Sequence, residues 1–181
     1  MSSSTATSPA TQLALAPLSA AAFERFAREV AKYPAEQKCS AVMACLSIAQ
    51  QEQGWVSAQS EAVIAAYLGM APMAVHEVTT FYNMYNQHPV GQFKLNVCTN
   101  LPCQLRDGQR ALEHLCTKLG IAAGGTTADG LFTVQASECL GACADAPVLL
   151  VNDRQMLSLM SHDRLDELVD TLTSHARTQA Q

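Results

Sequence analysis

Apolar residues recur at helical spacing through the first half of the chain. One helix face is marked by four residues at positions i, i+3, i+4 and i+7: Phe23, Phe26, Ala27 and Val30. The same spacing returns in three later runs, at residues 42–49, 63–68 and 75–82. Gly54 is a stop signal for the second helix, Ser57 is a cap for the third, and Pro72 fits the first turn of the fourth. This half of the chain predicts a bundle of four short helices.

The hydrophobic period changes after Pro89–Gly91. Apolar and polar residues alternate from Phe93 to Cys98, so this segment predicts a half-buried strand. Lys94 and Asn96 occupy its polar face. Three further segments have strand character and lie between turn signals: residues 131–134, 147–151 and 155–157.

The elements of the second half follow the order β-α-β-β-β-α. A hairpin-type turn at Asn152–Asp153 joins the last two strands, one helix ends at Gly120, and Ser161 caps the final helix. This order predicts an α/β fold of the thioredoxin type, with a small mixed sheet, preceded by the helical bundle. The expected division is a disordered tail at residues 1–18, the helical bundle at 19–88, the thioredoxin-like domain at 89–175 and a tail at 176–181.

Charge and composition exclude several classes of function. The formal net charge is −5 and the basic residues are dispersed, which argues against nucleic acid as a partner. No apolar run is long enough to span a bilayer, so we expect no direct membrane insertion. Residues 1–18 carry no Lys or Arg and therefore resemble neither a secretory signal nor a mitochondrial presequence. A bacterial cytoplasmic setting is expected.

Four of the seven cysteines form two close pairs, each expected in a loop just after a predicted strand. Cys98 and Cys103 have four residues between them, and Cys139 and Cys143 have three. Four thiolates suit structural zinc or an iron–sulfur cluster, and the spacing alone does not choose between these. Gly141 lets the second loop fold close to a metal, and its N–H groups can point at sulfur. Four buried apolar cysteines are the less favoured alternative.

The remaining candidates for chemistry are weak. Core packing is the favoured role for the other three cysteines: Cys39, Cys45 and Cys116. The five histidines are scattered without metal-binding or catalytic-triad spacing, and no nucleotide-binding motif is present. The aromatic segment Phe81–Tyr85 could face a partner, but core packing at a helix end is favoured.

Sequence motifs around the cysteines are more specific than their spacing. The chain contains Thr-Phe-Tyr-Asn-Met-Tyr at residues 80–85, Val-Cys-Thr-Asn-Leu-Pro-Cys at 97–103 and Glu-Cys-Leu-Gly-Ala-Cys at 138–143. Shorter matching segments are Gly-Trp-Val at 54–56, Pro-Val-Gly at 89–91, Thr-Ala-Asp-Gly-Leu-Phe-Thr at 127–133 and Ala-Pro-Val at 146–148. From Phe23 to Leu172, the chain closely resembles the 24-kDa-type subunits of respiratory complex I, a family that includes bacterial members.

This resemblance implies a thioredoxin-like domain that carries one 2Fe–2S cluster. The ligands that it implies are all present: Cys98, Cys103, Cys139 and Cys143. It further implies an electron-transfer subunit of NADH:quinone oxidoreductase, with no hydride or quinone chemistry of its own. FMN and NADH would bind to a partner flavoprotein subunit, and an iron–sulfur-rich large subunit would be the second partner. The chain would then lie in the peripheral arm, on the cytoplasmic side of the inner membrane.

Other functions stay open from the sequence. A similar subunit serves the diaphorase part of soluble NAD-linked hydrogenases and formate dehydrogenases. A structural zinc module that mediates assembly is a hypothesis of a different class. A thiol–disulfide oxidoreductase is disfavoured because the chain has no C-x-x-C pair.

Overall fold

The computed structural model describes residues 18–179, which form two compact units. One unit ends at Gln87 and the other begins at His88, while the predicted domain boundary lies between residues 88 and 89. The predicted disordered tail lies outside the described residues except for Leu18, which is buried. Within residues 18–179, no helix combines the length and apolar character that crossing a bilayer requires.

The first unit is helical. Its elements are α1 (Ala20–Val30), a 3-10 helix (Ala35–Ala41), α2 (Val42–Gln53), α3 (Ala58–Leu68) and α4 (Pro72–Phe81). The predicted end signals are confirmed: Ser57 Oγ accepts a hydrogen bond from the Ser60 N–H at 3.1 Å, and Gly54 ends α2 with a φ of +81°. The apolar faces enclose a core around Phe26, Leu46 and Ile64. The 3-10 helix was not predicted, because non-helical dihedrals at Gln37 interrupt it and no helical period develops.

The aromatic segment after α4 does not pack as predicted. Phe81 is 79% exposed, and Tyr82 and Met84 are also exposed. Only Tyr85 is buried, and its hydroxyl donates a hydrogen bond to the Met43 carbonyl at 2.9 Å. The core-packing prediction was wrong because α4 ends at Phe81 and Tyr82 is extended, so the helical face does not continue.

The second unit is a four-stranded mixed sheet with helices. Its elements are β1 (Phe93–Cys98), α5 (Leu101–Gln104), α6 (Gly108–Leu119), β2 (Phe132–Ser137), a 3-10 helix (Cys143–Asp145), β3 (Leu149–Val151), β4 (Gln155–Leu157) and α7 (His162–Gln179). The strand order is β2-β1-β3-β4, in which β1 and β2 are parallel and the other neighbours are antiparallel. The predicted α/β class and mixed sheet are therefore confirmed.

Strand β1 is more buried than its alternating pattern predicts. All six of its residues are buried, and Lys94 is only 1% exposed. Lys94 Nζ lies 2.5 Å from Asp153 Oδ2, and Asn96 Nδ2 donates to Asp153 Oδ1 at 2.6 Å. The prediction of a half-buried strand was wrong because the polar face is covered and its polar groups find partners there. Alternation in polarity therefore did not mean alternation in exposure.

Strand β1 also holds the hairpin between β3 and β4. Asn152 and Asp153 have φ values of +51° and +55°, which confirms the predicted hairpin turn. Asn152 Oδ1 accepts a hydrogen bond from the Lys94 backbone N–H at 2.7 Å, and the Asn152 N–H donates to the Lys94 carbonyl at 2.9 Å. The opposite face of β1 packs against α6 and α7 through Leu95, Leu115 and Leu165.

Candidate metal centre

The two cysteine pairs lie at one edge of the sheet. Cys98 is the last residue of β1, and its register partner on the parallel strand β2 is Ser137, two residues before Cys139. Parallel neighbours end at the same edge, so both strands deliver a cysteine pair to one place. The prediction that all four cysteines lie in loops holds only for Cys139. Cys98 belongs to β1, Cys103 lies within the helical turn α5, and Cys143 begins a 3-10 helix.

The four thiols form two pairs. Cys98 lies close enough to Cys103 to raise its pKa, and Cys139 does the same to Cys143. Cys103 also lies within electrostatic range of Cys139 and Cys143, so the pairs face a common region. All seven cysteines are free thiols. Among residues 18–179, no group of three or more His, Cys, Asp or Glu side chains has the arrangement to hold a single metal ion.

The surroundings of Cys103 and Cys143 favour the protonated form of these two thiols until a cation binds. Burial raises the pKa of Cys103 to about 11, with smaller contributions from its hydrogen bond with Cys98 and from the other cysteines. The pKa of Cys143 is also raised, mainly by its hydrogen bond with Cys139 and then by burial. Bound metal deprotonates a thiol outright, so this donor set suits a strongly thiol-binding centre.

One side of the site is apolar and the other is open. Cys98 and Cys103 are each 1% exposed and pack with buried Ala146 and Val148. By contrast, Cys139 is exposed. A centre held here would have protein on the side of the first pair and solvent or a partner on the side of the second.

Two glycines allow the backbone to approach the site. Gly141 has a φ of +78°, and its N–H donates to Cys139 Sγ at 3.4 Å, as predicted for this loop. The role of Gly108 was not predicted. A Cβ at Gly108 would lie 2.7 Å from the Cys98 carbonyl oxygen and 2.8 Å from that of Cys103, so only glycine fits without rearrangement. The Asp107–Gly108 dipeptide, a turn signal, could have indicated this position.

Two polar contacts join the segments that carry the cysteine pairs, and neither was predicted. Arg106 Nη1 donates to the Ala144 carbonyl at 2.6 Å, next to Cys143. Asn100 Nδ2 donates to Glu138 Oε2 at 3.2 Å, next to Cys139. No sequence pattern indicates these contacts, because the partners lie 38 residues apart in both cases.

The three other cysteines do not share one role. Cys45 is fully buried in the helical unit, and burial raises its pKa to about 12. Cys116 is partly buried and packs against the core of the second unit. Core packing is confirmed for these two and was wrong for Cys39, which is exposed on the 3-10 helix.

Two of the histidines, His114 and His162, stack on each other, which their spacing in the sequence did not indicate. The His114 and His162 rings stack with centroids 4.2 Å apart, and His114 Nε2 lies 2.8 Å from Asp166 Oδ1. Lys118 Nζ lies 3.1 Å from the same carboxylate oxygen. This group joins α6 to α7.

Known proteins resemble the chain in sequence and in fold. A family model described as thioredoxin-like [2Fe-2S] ferredoxin matches residues 26–173. The chain is 39% identical over 149 residues to NADH-quinone oxidoreductase subunit 2 of Thermus thermophilus, covering 82% of each chain. It is also 39% identical over 154 residues to a subunit of NADH-quinone oxidoreductase from Rhizobium meliloti, covering 85% of this chain and 90% of that protein.

A solved structure shares the fold at lower sequence identity. An NAD+-reducing [NiFe]-hydrogenase in the air-oxidized state aligns with a TM-score of 0.66 and 22% identity. The alignment covers 75% of this chain but only 23% of the hydrogenase chain. This likeness concerns the fold.

Proposed function

The chain belongs to the thioredoxin-like [2Fe-2S] ferredoxin family, and from this membership we propose that it is the electron-transfer [2Fe-2S] subunit of the NADH dehydrogenase module of NADH:quinone oxidoreductase. Four cysteines would hold the cluster: Cys98, Cys103, Cys139 and Cys143. The two compact units would be its domains, a helical bundle followed by the cluster-binding domain.

The pairing of the thiols carries the proposal. A [2Fe–2S] cluster takes four cysteines, two for each iron. Each pair lies within one short segment, and the two segments begin at neighbouring ends of β1 and β2. This arrangement suits two irons, each held by one pair. A structural zinc ion instead takes four ligands in a single tetrahedron.

The surrounding residues suit a negatively charged centre that exchanges electrons. When bound, a [2Fe–2S] cluster accepts or donates one electron, and with four thiolates its potential is roughly −400 mV. The Gly141 N–H that points at Cys139 Sγ would stabilise negative charge on sulfur. Buried Cys98, Cys103 and Val148 would keep water from one side of the site.

We assign the flavin and quinone steps to other subunits. The named relatives are subunits of NADH-quinone oxidoreductase, which supports a flavoprotein partner that binds FMN and NADH, and an iron–sulfur-rich large subunit as the second partner. Leu101 and Leu105, which flank Cys103, are 66% and 78% exposed. They offer an apolar contact surface beside the site. Attachment through partners would place the chain in the peripheral arm on the cytoplasmic side.

Metal and sulfide analysis tests the proposal directly. After anaerobic purification, we expect about two iron and two acid-labile sulfide per chain, and a rhombic EPR signal after dithionite reduction. Cys98→Ser and Cys143→Ser should each abolish the native signal. Cys39→Ser is the matched control, because this thiol is exposed and lies in the other unit. Protein that contains zinc without sulfide and gives no EPR signal would instead support the assembly module.

Gene context separates the two electron-transfer alternatives. Genes for membrane subunits beside this one would support NADH:quinone oxidoreductase. Hydrogenase or formate dehydrogenase genes in their place would assign the same electron-transfer role to a soluble diaphorase.

A further inference from the structure

Two segments carry the proposed ligands, and they differ in how firmly the fold holds them. We name residues 98–106 the first cysteine loop and residues 138–146 the second cysteine loop. The first loop is fixed at both ends: Cys98 ends β1, and the close approach of Gly108 to the carbonyls of Cys98 and Cys103 fixes the start of α6 against it. The Arg106 N–H also donates to the Cys103 carbonyl at 3.0 Å.

The second cysteine loop has less support. Cys139, Gly141, Ala144 and Asp145 are exposed. The Asp145 carbonyl accepts a hydrogen bond from the Leu159 N–H at 2.7 Å, near the end of the loop. Residues 139–144 therefore depend on contacts with the first loop to hold their thiols in place.

Arg106 contacts the residue that follows Cys143. Its Nη1 lies 2.6 Å from the carbonyl oxygen of Ala144, the residue that follows Cys143. The Asn100–Glu138 contact at 3.2 Å supports the other end of the loop, beside Cys139. A guanidinium is planar and holds its N–H donors in fixed directions. A hydrogen bond from it to the Ala144 carbonyl therefore restricts the orientation of that peptide. Arg106 also places a positive charge at the backbone that follows Cys143.

We propose that Arg106 is a positioning residue for the cluster. It holds Ala144, and through it Cys143, so that the second thiol pair stays opposite the first. This inference rests on the proposed [2Fe–2S] function. Arg106 acts through Cys143 and need not touch the cluster.

The chain offers both a rescue variant and a charge-matched control. Arg106→Met keeps the aliphatic stem but removes the donors and the charge, whereas Arg106→Lys keeps a charge and a donor. Arg154→Met removes the same charge from an exposed arginine of the same unit, in the turn between β3 and β4. All three changes are at exposed positions, so the chain should still fold.

The primary measurement is the rate of cluster loss from the full-length protein in excess EDTA, followed by visible absorbance. We expect Arg106→Met to lose its cluster about fivefold faster than wild type, the factor for one hydrogen bond. Arg106→Lys should recover most of the retention, and Arg154→Met should match wild type. EPR redox titration should give a lower midpoint potential for Arg106→Met only, because a nearby positive charge favours the reduced state.

A second measurement does not need the cluster. In the apo-protein, Arg106→Met should increase amide hydrogen exchange in residues 138–146 and leave exchange in the rest of the sheet unchanged. Equal cluster loss from Arg106→Met and Arg154→Met would overturn the inference, as would failure of lysine to slow the loss. Absence of iron and sulfide from wild-type protein would instead overturn the proposed function. The hydrogen-exchange measurement would still test whether Arg106 holds the second cysteine loop in place.

Discussion

Gln135 Nε2 donates a hydrogen bond to Asn96 Oδ1 at 2.7 Å, between residues that face each other on the parallel strands β2 and β1. Asn96 in turn donates to Asp153, which is ion-paired with Lys94. Asn96 precedes Cys98 by two residues, and Gln135 precedes Cys139 by four. This chain of polar contacts therefore fixes the register of the two strands that deliver the cysteine pairs.

Removing the carboxylate that faces buried Lys94 should destabilise the fold. Asp153→Asn takes the opposite charge away from the Lys94 ammonium, which is 1% exposed, and we expect a loss of about 3–5 kcal/mol in the free energy of unfolding. Urea denaturation of the apo-protein measures this loss. The double variant Lys94→Met/Asp153→Asn removes both charges and should be more stable than the single variant. A double variant as unstable as the single one would show that the ion pair is not the cause.

Gly108→Ala should disturb the cysteine site through sterics. The added Cβ would lie 2.7 and 2.8 Å from the backbone carbonyl oxygens of Cys98 and Cys103. Backbone atoms cannot move aside by a rotamer change as side-chain atoms can. We expect a loss of about 1–3 kcal/mol in stability and poorer iron incorporation. Gln109→Ala, at the next and exposed position of α6, is the control and should change stability by no more than about 0.5 kcal/mol. Full iron content in Gly108→Ala would contradict this account.

The two cysteines of the helical unit should differ sharply in reactivity. Cys39 is exposed, whereas Cys45 is fully buried with its pKa raised to about 12 by burial. N-ethylmaleimide at pH 7.5 should therefore label Cys39 in the native protein and label Cys45 only after unfolding, because the thiolate is the reactive form. Peptide mass spectrometry measures both sites. Equal labelling rates in the native protein would contradict the burial of Cys45.

The contact between α6 and α7 should weaken in acid. Hydrogen bonds from His114 and then Lys118 lower the pKa of Asp166 below its ordinary value. A carboxyl whose pKa is lower in the folded state stabilises the fold above its unfolded pKa, about 3.9. This contribution is lost as the pH falls through the folded pKa.

Asp166→Asn tests this pH dependence. The variant should be less stable than wild type at pH 7, and the difference should vanish in acid below the folded pKa. Urea titrations of the apo-protein across that range measure it, with Glu167→Gln, on the exposed side of α7, as the control. A difference that does not change with pH would mean that the carboxylate charge plays no part.

Leu105 should matter for assembly and not for the isolated subunit. It is 78% exposed and lies two residues beyond Cys103. Leu105→Glu places a charge on the apolar surface beside the site, so we expect weaker binding to the flavoprotein partner and an unchanged EPR signal. Co-purification with that partner measures the binding. Met156→Glu, an exposed position on β4, is the control and should bind normally.

Much of the fold could be predicted because its signals are local. The helix faces, Ser57, Gly54 and the Asn152–Asp153 turn lie where predicted, since capping and turn preferences act over a few residues. The predictions failed where burial depends on distant parts of the chain. Lys94 is buried because Asp153 forms an ion pair with it. Phe81 is exposed because α4 ends there.

The sequence by itself determined the order of the elements and the set of four thiols, because periodicity and spacing are properties of neighbouring residues. Only the tertiary structure decided how those thiols are arranged. The parallel pairing of β1 and β2 brings Cys98 and Cys139 to one edge of the sheet. Arg106 reaches Ala144 across 38 residues of chain. Contacts of this kind form between residues that are close only after folding, so no local pattern encodes them.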